Sequence, residues 1–306
     1  MPSKSTRRQI FERIGWGIAV LLLGRAVWVA AAEVRAEEAT FAWGPALLAL
    51  ASLVGVFLFT VYTWRCLLSD LGVRLTFAQT VQMWSFSNLG RYLPGKVWQV
   101  VGMVIIAKDF GVPTGLSTAA AFISFGFMVS SGALVGMLFL LGQPVTPGWL
   151  VPVGWAIASG LLLPIVWPRL IPWILNRIPK SFGVTPIEGI SRTALVRFAA
   201  LQCLVWVGHG VSFYLFAGAL GETVWAEFPR YAGAYALAYV FGLIALFAPG
   251  GIGVREGALG LLLGAVQSGA ETVHTLAVAA RLWAITAEVL VLGLAVALKA
   301  RGGKDP

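Results

Sequence analysis

Two proline-glycine pairs interrupt apolar stretches of helical length, and both have charged residues beside them. The first lies in Asn88-Leu89-Gly90-Arg91-Tyr92-Leu93-Pro94-Gly95-Lys96, the second in Ala248-Pro249-Gly250-Gly251-Ile252-Gly253-Val254-Arg255-Glu256-Gly257. Each break frees the N-terminus of a following half-helix, near Lys96 and near Ile252. Such an end carries about half a positive charge and unpaired N–H groups, which suit a phosphate. Gly95, Gly250, Gly251 and Gly253 permit tight backbone geometry and close approach of a ligand. The chemistry on offer is electrostatic capture of an anion rather than bond cleavage.

The side chains lean the same way. Arg25, Arg91, Lys96, Arg255 and Arg281 lie within or near apolar stretches, against only Glu256 and Glu288. Buried unpaired charge is strongly disfavoured, so a negative ligand or lipid headgroup is the natural counterpart. The candidate substrate-binding set is Asn88, Arg91, Pro94, Gly95 and Lys96 from the first break. The second break adds Pro249, Gly250, Gly251, Gly253, Arg255 and Glu256, and the last apolar segment adds Arg281 and Glu288. Arg91, Lys96 and Arg255 are the expected phosphate contacts. Glu256 and Glu288 pair with these cations when the site is empty, or couple to protons. No catalytic residue, metal site or cofactor is expected.

Each residue also has a structural reading. Arg91 and Lys96 could snorkel to the cytoplasmic interface beside Tyr92 and Trp98. Arg255 and Glu256 point about 100° apart on a helix, so they need separate partners. Arg281 and Glu288, seven apart, share a helix face and suit fixed pairs between helices. Arg25 could anchor its helix at the outer surface. His209 is expected to be a packing histidine, and Cys66 and Cys203 reduced packing residues.

The elements that must position these groups are membrane helices. The chain of 306 residues is 58% hydrophobic and 11% charged, with mean hydropathy +0.85. Crossing a hydrocarbon core takes about 20 helical residues. Candidate spans lie near 14–32, 43–64, 113–141, 148–166, 193–219 and 275–299, with broken apolar regions near 76–107 and 229–266. The net charge of +9 belongs to loops and tails that set topology, so nucleic acid is not an expected partner. Lys4, Arg7, Arg8 and Arg13 before an apolar run ending at Ala32 resemble a secretory signal. Arg25 interrupts that run, and the topology uses it as the first span.

Basic residues assign the sides. The N-terminal tail, Arg65, Arg74, Lys108, the stretch 167–192 and the tail with Lys299, Arg301 and Lys304 are expected in the cytoplasm. Glu33, Glu37, Glu38, Glu222 and Glu227 mark outer loops. The first broken region then enters and leaves on the cytoplasmic side. Its arms of about 27 and 20 Å favour a re-entrant hairpin. The second starts and ends outside, as a hairpin or as two full spans. The expected fold is an all-α polytopic membrane protein, a single integral domain over 1–306. It has about six full spans plus two re-entrant hairpins, or eight or more spans. The expected inverted repeats are 14–141 and 148–299, joined by an outer loop 142–147, a plan used by secondary transporters. The expected location is a cytoplasmic (inner) membrane of bacterial type, with both termini in the cytoplasm.

The run Asn-Leu-Gly-Arg-Tyr-Leu-Pro-Gly-Lys-Val-Trp at 88–98, followed by Pro-Gly-Gly-Ile-Gly-Val-Arg-Glu-Gly at 249–257, resembles the lysylphosphatidylglycerol synthase transmembrane region, or flippase-like domain, family. The resemblance covers nearly the whole chain. It implies a polytopic membrane fold and movement of an aminoacylated phospholipid between leaflets. The best-understood members carry a soluble aminoacyl-transfer domain after the membrane region. Residues 1–306 hold no counterpart, so a standalone member without synthase activity is expected. Other standalone members are linked to isoprenoid-type or glycosylated lipids.

The leading expectation is a lipid flippase, not an enzyme, whose partner is a membrane lipid with a phosphate headgroup. No ATP-binding motif is present; the glycines from 251 to 257 miss the dinucleotide spacing by one residue and follow no strand. The alternatives are a glycosyl- or phosphotransferase using a polyprenyl-phosphate lipid, with Glu37 and Glu38 as its only adjacent acids, and a non-catalytic partner of a lipid-synthesis enzyme.

Overall fold

The computed structural model describes residues 42–92, 97–143, 147–177, 189–221, 223–245, 247–264 and 270–302. The span expected at 14–32 with Arg25, the acidic residues Glu33, Glu37 and Glu38, and the Pro94-Gly95-Lys96 break lie outside the described residues. Every regular element among the described residues is helical. The helices are α1 (Trp43–Asp70), α2 (Phe77–Asn88), α3 (Val97–Asp109), α4 (Thr114–Leu140), α5 (Leu150–Val166), α6 (Leu170–Leu175), α7 (Arg192–Leu220), α8 (Phe228–Ile244), α9 (Val254–Gly264) and α10 (Ala270–Gly302). Tight 3-10 turns occupy Leu89–Tyr92, Trp225–Glu227 and Pro249–Gly251.

Local chemistry sets the boundaries. At the start of α2 the Thr76 hydroxyl accepts from the Gln79 N–H at 3.2 Å, and the Gln79 side chain accepts from the Thr76 N–H at 2.9 Å. This reciprocal cap satisfies two orphan donors. Ser191 caps α7 through the Ala194 N–H at 3.2 Å. Four helices, α1, α4, α7 and the 275–301 part of α10, are long and apolar enough to cross a bilayer, and α5 is a shorter apolar helix of 17 residues. Large apolar side chains remain exposed on all of them, among them Leu48, Leu138, Leu163, Leu204 and Val296. A helix apolar on every side has one face for the protein core and one for lipid. The chain is an integral membrane protein.

Both broken regions fold back on themselves. In the first, Gly90 lies against the backbone of Trp98 and Gln99, and Ser87 against Gly102, so α2 and α3 run antiparallel. A Cβ on Gly90 would stand 2.6 Å from the Trp98 carbonyl, closer than any real Cβ approaches. In the second, Gly242 at the end of α8 faces Gly251 and Arg255, while Arg230 donates to the Leu263 carbonyl at 2.7 Å, so α8 and α9 are antiparallel too. Gly250 and Gly251 turn the chain with φ of 59° and 73°, a region closed to most side chains. As a result α9 starts at Val254, two residues later than the sequence suggests.

The longest contacts are antiparallel. On α1 and α7, Val56 meets Gly208 and the Ser52 and Ser212 hydroxyls lie 2.7 Å apart. Helices α4 and α8 interlock through glycine. A Cβ on Gly136 would stand 2.7 Å from Leu237, and one on Gly233 2.7 Å from Leu140 and 3.0 Å from the Gly136 carbonyl. Small residues at such seams let backbones approach where no hydrophobic force from water drives association. The Gly132-xxx-Gly136 pair thus serves internal packing. Gly253, Gly257, Gly260 and Gly264 show no such role among the described residues, since a Cβ on any of them would meet nothing there within 4 Å. The α4–α8 seam generates a matched prediction. Gly136→Val should lower the detergent melting temperature, by about 1–3 kcal/mol of stability for a side chain forced into a packed seam. Gly126→Ala, on the same helix but facing open space, should leave melting unchanged.

Candidate functional site

The two breaks meet. Gly250, in the second turn, lies against Tyr92, in the first, and against the Arg281 guanidinium. A Cβ there would stand 3.3 Å from Arg281 Nη2 and 3.5 Å from the Tyr92 ring. Residues far apart in sequence therefore form one cluster. It draws on the end of α2 with its turn, the start of α9 with its turn, the middle of α8 and the face of α10 that carries Arg281 and Glu288.

Two ion pairs organise it, and α10 supplies one member of each. Glu288 accepts from Arg91 at 2.7 Å and from the Tyr92 hydroxyl at 2.8 Å, which ties α10 to the first turn. Arg281 donates to Glu256 at 2.6 Å, which ties α10 to the second. Arg91 spends its remaining donors on Asn88 Oδ1 at 2.9 Å and on the Tyr239 hydroxyl of α8 at 3.2 Å. Asn88 Oδ1 also accepts from Gln99 of α3 at 2.7 Å, so both arms of the first fold are bound to the same amide.

The second half-helix does not present a bare N-terminus. Glu256 Oε2 accepts from the Gly253 N–H at 2.7 Å. A carboxylate of the chain itself therefore fills the place that the sequence reading gives to a phosphate at this end. Arg255 and Glu256 diverge as the helical offset requires. Glu256 turns to Arg281, while Arg255 stacks over the Tyr235 and Tyr239 rings, 4.7 and 4.4 Å from their centroids. Such cation–π contacts replace part of the lost hydration. Arg255 forms no ion pair with a carboxylate among the described residues.

Of the sequence candidates, Asn88, Arg91, Gly250, Gly251, Gly253, Arg255, Glu256, Arg281 and Glu288 are brought together, and Pro249 opens the second turn. Pro94, Gly95 and Lys96 lie outside the described residues. Tyr92, Gln99, Tyr235 and Tyr239 belong to the network and were not in the candidate set. One signal for the tyrosines is present in the sequence: Tyr231, Tyr235 and Tyr239 recur every four residues, a single face of α8. His209 of α7 is 6% exposed and ringed by Phe57, Trp206, Tyr235 and Tyr239, with centroids 5.5–6.0 Å away.

Two cavities flank the cluster. A small one of about 20 Å³ is lined by Ser85, Asn88, Tyr92 and Glu288 with Trp84 and Val289. The other, about 380 Å³, is apolar and lies on the far side of α9, between Phe247, Val254, Leu261, Phe241 and Trp149.

A family model described as the lysylphosphatidylglycerol synthase TM region matches residues 14–293. The chain belongs to that family of membrane proteins, whose named setting is lipid chemistry. No curated protein matches the chain.

The ion pairs yield a prediction. Removing one member of a buried pair leaves a charge without its partner, which costs more than removing both. Glu288→Gln and Arg91→Met should each lower the melting temperature, and the double variant should recover part of the loss. A double-mutant cycle should report coupling of about 1–3 kcal/mol; strict additivity would mean the pair is not energetically connected.

Proposed function

We propose that the protein moves a lipid with an anionic or phosphate-linked headgroup between leaflets, the headgroup resting where the two broken segments meet. The observation that carries this reading is the contact of Gly250 with Tyr92 and Arg281, which puts three arginines and two carboxylates in one cluster. Two arginines are matched by the two carboxylates. Arg255 is left over, and a negatively charged headgroup would complete it. A charge without a counter-charge at membrane depth costs roughly 2.5–3.5 kcal/mol on insertion scales, and such residues mark substrate paths.

The packing supports an inverted repeat of the halves 14–141 and 148–299. Exchanging α1 with α7, α2 with α8, α3 with α9 and α4 with α10 maps the observed helix contacts onto each other. The α4–α8 contact becomes α10–α2, α4–α7 becomes α10–α1, and α3–α4 becomes α9–α10. In this reading the two folded-back segments are re-entrant from opposite leaflets and the basic termini face the cytoplasm. The apolar groove beside Phe247 and Val254 offers a lipid tail a place next to the headgroup site. Transport then follows from rocking one half against the other.

The test is lipid transfer in proteoliposomes of phosphatidylcholine doped with labelled phosphatidylglycerol. Arg255→Ala and Lys96→Ala should each lower the transfer rate at least about tenfold, the worth of a charge-assisted hydrogen bond, while melting stays cooperative. Wild-type transfer by both variants would remove this cluster as the headgroup site.

A further inference from the structure

We infer that the headgroup seat is a cage of neutral hydrogen-bond donors around one edge of Arg255, made by Tyr235, His209 and Trp283, and that it selects an oxyanion such as a phosphodiester. The inference rests on the transport reading above and specifies its ligand chemistry. Four buried polar atoms carry it. Arg255 Nη2, the Tyr235 hydroxyl, His209 Nδ1 and Trp283 Nε1 have no hydrogen-bond partner among the described residues. Tyr235, Trp283 and His209 are only 1%, 5% and 6% exposed. A buried polar group without a partner is costly, and four of the seven such atoms among the described residues belong to this one group of neighbours.

The four are neighbours. Tyr235 is the hub: its ring centroid lies 6.0 Å from that of His209 and 6.3 Å from that of Trp283, and Arg255 stands 4.7 Å above it. They come from four helices, α7 for His209, α8 for Tyr235, α9 for Arg255 and α10 for Trp283. Mere core packing would not need polar rims on each of these rings.

Their chemistry is one-sided. Arginine and indole N–H groups donate and cannot accept; a phenol donates readily, and an imidazole donates when its proton is on Nδ1. The two nearby carboxylates are already engaged by Arg91, Tyr92, Arg281 and the Gly253 N–H. A set of donors with one surplus cation accepts an oxyanion and rejects an ammonium group. The guanidinium lies over two tyrosine rings tilted 50° to each other, and its Nη2 is left for an oxygen, a role in which arginine outperforms lysine. The atoms are closed off in this conformation, so binding requires the surrounding helices to open.

The test uses the full chain in phosphatidylcholine nanodiscs, titrated with short-chain phosphatidylglycerol and separately with inorganic phosphate. The informative variant is Tyr235→Phe, which removes a hydroxyl that interacts with the Arg255 guanidinium but has no close hydrogen-bond partner among the described residues. A structural role for that hydroxyl predicts a lower melting temperature. The seat predicts melting unchanged or raised without anionic ligand, and phosphatidylglycerol affinity lowered about tenfold. Tyr235→Phe/His209→Phe should lose more. Saturation by inorganic phosphate in place of the lipid would keep the oxyanion seat and move its ligand to solution. Unchanged affinity for both probes in Tyr235→Phe and in the double variant overturns the seat, as does a lowered melting temperature without ligand. If Arg255→Ala still abolishes lipid transfer in that case, the transport reading stands and only the donor cage is wrong. If Arg255→Ala is also silent, both fall.

Discussion

Glu288 and Arg281 lie two helical turns apart on one face of α10, and the junction of the two breaks depends on that spacing. Glu288 gathers Arg91 and Tyr92 from one turn; Arg281 gathers Glu256 and packs beside Gly250 in the other. Without α10 as a common strut, two irregular turns rich in glycine would lose both ion pairs that bind them where they meet. Irregular backbone survives at membrane depth only where protein or a polar cavity satisfies it. Here Glu256 serves the Gly253 N–H directly, and α10 holds the surrounding side chains in register through Arg281 and Glu288.

The same helix explains why the cluster tolerates so much charge. Each carboxylate is shared: Glu288 serves a guanidinium and a phenol, and Glu256 a guanidinium and a backbone N–H. Sharing satisfies more lone pairs per buried charge, which is the condition under which a buried pair repays its desolvation. Arg255 escapes this economy. It rests on aromatic faces instead, and in the proposed transport reading its free edge is where the negative headgroup would bind.

Much of this was legible in the sequence, because hydropathy reports long apolar helices directly. The spans expected near 113–141 and 193–219 differ from α4 and α7 by a residue at each end. The divergence of Arg255 from Glu256 followed from helical geometry alone. The span expected near 275–299 matches the apolar part of α10, 275–301, while the helix itself begins at Ala270, where Glu271 and His274 lower the hydropathy. The pairing of Arg91 with Glu288, 197 residues apart, was out of reach, since no local pattern encodes which helices adjoin. The tyrosine stripe on α8 was visible, but a stripe every fourth residue reads first as core, and only the orphaned hydroxyl of Tyr235 and Nδ1 of His209 separate this one from ordinary packing. The capped end of α9 was also unforeseen. Glu256 stands three residues after Gly253, the spacing at which a carboxylate serves its own helix start.

The two seams that the proposed exchange of halves relates are built from different materials. At α4–α8, glycines bring backbones together and leucines fill the remaining space, so sliding would force overlap at Gly136 and Gly233. Near the junction at α2–α10, contact passes through Arg91, Tyr92 and Glu288, whose partners can be traded for others of like charge without displacing a close-packed surface. In the proposed rocking of the halves, the α4–α8 seam would act as the fulcrum and the charged junction as the clasp.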